Sequence, residues 1–282
     1  MRLKKIMTII IIVLGMGLIS YPYISNYIYE NSAKSTISSF EEKAGKLSKS
    51  TIKSEIELAK KYNIKLREKG KVFTDPFAAA KDQLNATYFE ILSINKEGLM
   101  GYIEIPIINT KLPIYHSSTP EVLEKGAGHL QGSSLPVGGK GTHAVITGHT
   151  GLNNAKMFTD LTQMEVDDYF YIHVLNRTLA YRVYDIDIIE PDDISRLSII
   201  NGKDYMTLIT CTPYGVNSHR LLVMGERAKT DKIPQKIDKK HYISQWQTDY
   251  LKSILIGLFV SLVFIICCLV RKELRKKKDL EM

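Results

Sequence analysis

The sequence predicts a mainly β protein, a closed or nearly closed barrel, carried between an apolar segment at each end of the chain. Three observations lead there. Short β-branched and apolar runs follow one another from Leu99 to Arg227, helical patterning is confined to the region before residue 70 and a few short pieces, and no strand–helix–strand alternation is present. With 282 residues and 44% hydrophobic content, the chain can build one sizeable core once its ends are set aside. No internal repeat is visible.

The ends read as membrane segments. Leu251 to Val270 carries one charge, Lys252 at its rim, and twenty residues of helix reach about 30 Å, the thickness of the hydrocarbon layer. Ile6 to Ile19 is a shorter apolar run behind Arg2, Lys4 and Lys5, extended by Tyr21, Tyr23 and Ile24 and followed by no good small-x-small cleavage site. It is expected to be an uncleaved anchor. Basic residues precede the first segment and RKELRKKK follows the second. Both tails are therefore expected in the cytoplasm, with the chain between them outside the plasma membrane.

Of 38 basic and 30 acidic residues, nine and three lie in the two tails, leaving 29 against 27 elsewhere. The positive charge thus follows topology and makes no case for a nucleic-acid partner. Cys267 and Cys268 lie in the second apolar run, where they read as apolar filler or, alternatively, as palmitoylation sites. The exterior part keeps one cysteine, Cys211, and can form no intramolecular disulfide. A lone thiol in an oxidising exterior is a candidate nucleophile, a buried structural cysteine being the other reading.

Residues 26 to 70 are polar, with Ile37, Phe40, Ala44 and Leu47, then Ile52, Ile56, Ala59 and Tyr62, recurring at helical spacing. Two amphipathic helices are expected, packed on the main domain or serving as a spacer. In KVFTDPFAAA, residues 71 to 80, Pro76 fixes its own φ and drives Asp75 to extended geometry, making a stiff loop that presents a carboxylate and the Phe77 ring. From Leu99 the pattern alternates, and Pro106 and Pro113 imply bends or edges. Glu121 to His129 can make one or two helical turns, residues 132 to 141 a loop, His143 to Thr147 a strand, and Met157 to Met164 a short helix. Tyr169 to Val174 and Leu179 to Ile189 are expected to form a hairpin turning at Asn176–Arg177. Tyr205 to Thr210 and Arg220 to Met224 are two further strands, with Pro213, Gly215 and Asn217 in the loop between them.

Cys211 ends one of these strands and Arg220 starts the next, so both face one sheet edge. A thiol with an unperturbed pKa of about 8.5 needs a base or a cationic neighbour to act as a thiolate. Among seven histidines, His149 stands out because it ends AVITGH and is bracketed by Gly148 and Gly151. By spacing alone it is either that base or a structural histidine. Arg220 is either an oxyanion donor or a surface cation.

The order TGHTG, TLITCTPYG, NSHRLLVMGER resembles the sortases, cysteine transpeptidases of Gram-positive cell surfaces, and it is most similar to the class C, pilin-polymerising sortases. GYIEIPII, KLPIYH and GHLQGSSLPVGG extend the likeness, which covers residues 71 to 227 and the second apolar segment. One departure is Thr150, where relatives often carry arginine.

The resemblance implies a sortase-type closed barrel of about eight strands, with His149, Cys211 and Arg220 as the catalytic trio. It also implies a lid in which Asp75 pairs with Arg220 and Phe77 lies over Cys211, Pro76 stiffening the turn. The implied partners are pilin subunits bearing an LPxTG-like signal and an acceptor lysine, with no cofactor and no metal. The expected layout is a basic tail and anchor over 1–24, an exterior helical region with its lid over 25–95, and the catalytic barrel over 96–228. A linker over 229–250, a span over 251–270 and a basic tail over 271–282 complete it. An anchoring sortase that hands proteins to a cell-wall precursor is the alternative in the same reaction class, and a non-enzymatic membrane-tethered surface protein the alternative outside it.

Overall fold

A computed structural model describes residues 2–69, 77, 86–94, 98–152, 154–229 and 244–280. The chain divides into two compact units, one made of residues 1–20 and 242–282 and the other of residues 21–241. In the first, both end segments are helical, within α1 (Arg2–Gly45) and α5 (Gln245–Leu280). Many of their described apolar side chains are exposed, Leu18 and Phe259 among them. Among the described residues no helix is long and apolar enough to cross a membrane. Helicity at both ends therefore agrees with the sequence reading, while membrane crossing does not follow from it.

In the second unit, the rest of α1 and then α2 (Lys49–Lys69) lie on the barrel. Ser48 starts α2 by accepting a hydrogen bond from the Thr51 N–H at 3.0 Å, which satisfies one of the free donors of the first turn. The helical spacing read from the sequence marks the buried faces. Ile37, Phe40 and Ala44 pack with Leu99 and Tyr102, and Ile52, Ile56 and Ala59 are buried as well. Asn63 of α2 donates to the Leu135 carbonyl at 3.1 Å and accepts from the Leu135 N–H at 2.7 Å. Of the two roles open for these helices, packing on the main domain is the one adopted.

The barrel comprises β1 (Leu99–Ile105), β2 (Thr110–His116), β3 (Ala127–His129), β4 (Thr142–Thr147), β5 (Tyr169–Val174), β6 (Arg177–Ile189), β7 (Asp204–Thr212) and β8 (His219–Arg227). It closes in the order β1-β2-β3-β4-β7-β8-β6-β5. Two neighbouring pairs, β2 with β3 and β4 with β7, run parallel. Pro106 opens a 3-10 turn between β1 and β2. Pro113 sits within β2, opposite Tyr102 of β1. β3 pairs only with residues 114 to 116, so Pro113 lies just before that ladder begins.

Three local expectations are corrected. Helix α4 covers only Pro120–Leu123, and the rest of the expected helical turn, Ala127–His129, is strand β3. Gly128 makes this close pairing feasible, since a Cβ there would lie 2.3 Å from the Ser117 carbonyl oxygen. The β5–β6 hairpin turns one residue early, at Leu175–Asn176, with Val174 paired to Arg177 and Leu175 in the left-handed region at φ 52°. The helix expected at 157–164 is a 3-10 turn over Thr159–Gln163.

β7 and β8 are buried on both faces. Met206 and Leu208, with Gly225 and Val223 opposite, point one way, Gly225 lying against Phe170 and Tyr181 of β5 and β6. That is the barrel interior, where each fully buried large side chain contributes roughly 1.5 to 3 kcal/mol. The alternate residues, Thr207, Ile209 and Cys211 with Met224, Leu222 and Arg220 opposite, face outward. Over them lies the β6–β7 connection, which places Leu197 against Val145, Ile209 and Leu222.

Candidate active site

Cys211 and Arg220 are direct cross-strand partners on β7 and β8. Opposed side chains on one face have Cβ atoms about 4.5 to 5.5 Å apart, so thiol and guanidinium share one patch of surface. His149 arrives from the other side of β7. The parallel β4–β7 register sets Thr147 beside Ile209, and the chain stays alongside as it leaves the strand. Gly148 N–H donates to the Ile209 carbonyl at 3.1 Å, and the Thr210 hydroxyl donates to the Gly148 carbonyl at 2.7 Å. His149 is therefore delivered beside the Cys211 end of β7. Position 148 has room for glycine alone, because a Cβ would stand 2.6 Å from the Phe158 ring. The Phe158 N–H in turn donates to the His149 carbonyl at 3.0 Å.

Arg220 is 8% exposed. Its Nη1 donates to the Asn217 carbonyl at 3.1 Å and to the His219 carbonyl at 3.0 Å, which aims the planar group from the loop that begins β8. Phe77 completes the cluster. Its ring centre is 5.1 Å from the Arg220 Cζ and 5.9 Å from the centre of the His149 ring. The ring also packs against an apolar cluster that includes Ile209, Leu222 and Leu197. Asp75 and Pro76 lie outside the described residues.

Burial holds the His149 pKa below the usual histidine value, offset in part by the negative charge of Glu124. Its neutral form is thus favoured near pH 7. Four other histidines are engaged elsewhere. His116 and His129 are buried among backbone carbonyls, His173 stacks on Tyr102 at 4.2 Å, and His219 pairs with Glu190 at 3.2 Å. Among the described residues no cluster of His, Cys, Asp and Glu suits a metal ion.

Sequence reasoning missed the outer wall of this site. Ile194 and Leu197 come from the β6–β7 connection, which reads as a featureless link. Two apolar residues spaced by three within a polar segment were the available signal. Glu124 was likewise not visible as a neighbour of His149.

A sortase-domain model matches residues 103–228. Sortase C of Streptococcus pneumoniae is 40% identical, with a TM-score of 0.65 over 72% of this chain and 100% of that one. Sortase C1 of Streptococcus agalactiae is 42% identical, with a TM-score of 0.64 over 70% of this chain and 99% of that one. Sortase A of Listeria monocytogenes is 25% identical over 245 residues, 86% of this chain and 100% of the relative. A closed eight-stranded barrel with this likeness defines a sortase, a cysteine transpeptidase. Within that family the chain belongs to class C. The non-enzymatic alternative is thereby set aside.

Proposed function

We propose that this sortase polymerises pilin subunits, with Cys211 as nucleophile, His149 as proton carrier and Arg220 as oxyanion donor. The observation that carries the reading is the direct pairing of Cys211 with Arg220 across β7 and β8, with His149 reached through the ring of Phe77.

As the Cys211 sulfur attacks the threonine carbonyl carbon of an LPxTG-like signal its proton passes to His149, and negative charge moves onto the carbonyl oxygen, where the Arg220 guanidinium stabilises it. The C–N bond to glycine breaks as His149 delivers a proton to the leaving amine, and a thioester remains. A lysine ε-amine of the next subunit then attacks the thioester carbon and gives up a proton to His149. Collapse expels the thiolate and leaves an isopeptide bond. Water in place of the amine gives hydrolysis.

Phe77 in this reading belongs to a lid that covers the thiol until substrate arrives, with Asp75 reaching Arg220 as a carboxylate partner. The end segments at 1–24 and 251–270 anchor the enzyme in the plasma membrane with its barrel on the cell-wall side. Support for a pilin substrate comes from the class C structures, since the Streptococcus pneumoniae enzyme is described in terms of pilin substrate specificity. An anchoring sortase would share the first half-reaction, but the Phe77 ring over the site favours the pilin reading.

The test is to incubate the full chain with candidate pilins and identify cross-linked peptides by mass spectrometry. A lysine–threonine isopeptide is expected, and none should form with Cys211→Ala. Covalent ladders made by a folded Cys211→Ala chain would refute the assignment.

A further inference from the structure

We infer that His143 is a positioning residue for substrate binding, because its imidazole pins the wall of the site to the floor. The inference rests on the transpeptidase reading above. His143 lies on β4 beside Tyr205 of β7, and its ring is 1% exposed. Its Nδ1 is 3.0 Å from the Ser198 carbonyl oxygen and its Nε2 is 2.7 Å from the Thr207 hydroxyl. A carbonyl can only accept, so Nδ1 carries a proton. Nε2 then accepts from Thr207, and one neutral tautomer satisfies both contacts. The backbone N–H of His143 is itself held by the Ser134 hydroxyl at 3.0 Å.

What the imidazole joins gives the contact its meaning. Thr207 shares the outward face of β7 with Ile209 and Cys211. Ser198 directly follows the 3-10 turn Ser195–Leu197 of the β6–β7 connection. Leu197 and Ile194 of that connection face Ile209 and Leu222, the same patch on which Phe77 rests. When Phe77 withdraws, the apolar flank of the sorting signal meets this wall. Surface contacts also tie the connection down, Arg196 pairing with Asp185 and Asp187 and Glu190 meeting His219. Those side chains are 40% or more exposed, so solvent and salt weaken them. The buried imidazole is the firmer anchor. His143 lies beside Tyr205, six residues along β7 from Cys211, so its effect should fall on substrate binding and spare the chemistry.

The test uses the full chain with Phe77→Ala throughout, so that release of the lid does not enter, and follows cleavage of an LPxTG peptide. His143→Leu should raise KM about tenfold, the worth of a lost buried hydrogen bond, with kcat within about twofold. Alkylation of Cys211 by iodoacetamide should keep its rate. His143→Asn, whose amide nitrogen can take the place of Nδ1, should return KM towards the parent. His143→Gln, whose amide falls at Nε2, should not. If His143→Leu does not fold, the Asn and Gln variants decide alone.

An unchanged KM, equal KM for Asn and Gln, or a joint fall in kcat and alkylation rate would overturn the inference. A Phe77→Ala parent that alkylates normally but cleaves no sorting peptide would instead count against the transpeptidase reading itself.

Discussion

The ring of Phe77 lies 5.1 Å from the guanidinium carbon of Arg220, close enough for a cation–π contact. The same ring is in contact distance of His149, so one side chain covers two members of the proposed trio at once.

Removing that ring should therefore expose the thiol. Phe77→Ala is expected to speed Cys211 labelling and peptide hydrolysis by about tenfold, from the lost cation–π contact and lost apolar burial. Equal labelling rates in parent and variant would mean that the ring does not limit access.

Arg220 places Nη1 on the Asn217 and His219 carbonyls, which fixes its other nitrogens in one rigid plane, and the single nitrogen of a lysine ammonium cannot reproduce that fork. Arg220→Lys keeps the charge and loses the geometry. Loss of an oriented oxyanion donor should lower the acylation rate by about 10²–10³ while the unfolding temperature moves little. Rapid-quench measurement of the thioester gives the rate, and near-parental acylation would remove Arg220 from that role.

Asn63 is 3% exposed and bonds both backbone groups of Leu135, joining α2 to the loop before β4. Asn63→Ala leaves two buried backbone groups without this partner. The cost should be about 2 kcal/mol, read as a lower urea midpoint, and a change below about 0.5 kcal/mol would show that α2 is not integral to the catalytic unit.

His129 is fully buried, and burial pushes its pKa from the ordinary 6.5 down to about 4. As pH falls the unfolded chain takes up a proton before the folded one does. The contribution to stability is whole above pH 6.5 and is lost progressively between 6.5 and about 4, amounting to about 3 kcal/mol. Burial lowers the His116 pKa as well, which acts with the same sign. Replacing His129 by Gln should flatten the acid limb of a plot of urea stability against pH, and an unaltered slope would contradict the assignment.

Much of the site was legible because its residues sit where strands end. The glycines around His149 and the loop residues between Cys211 and Arg220 carry local backbone requirements that a sequence displays directly. Pro106 announced a bend for the same reason, and the helical spacing of Phe40 and Ile56 marked buried faces that packing then used. The β3 strand was not legible. Three residues flanked by glycines have no periodicity, and their strand character comes from pairing with β2 and β4. Leu175 took a turn position that Asn176–Arg177 seemed to claim, since the register of β5 on β6 outranks the local preference.

By itself the sequence determined the class of fold and singled out Cys211, and its resemblance to the sortases pointed to His149 and Arg220 as the partners of that thiol. Strand patterning and short motifs are legible from neighbours along the chain. Only the tertiary structure decided that β4 runs parallel to β7, which brings His149 to the Cys211 end of the strand, and that Ile194 and Leu197 fold over the outward face. Strand order and the outer wall arise from contacts between residues far apart in the chain, and no local pattern encodes which distant surface will bury them.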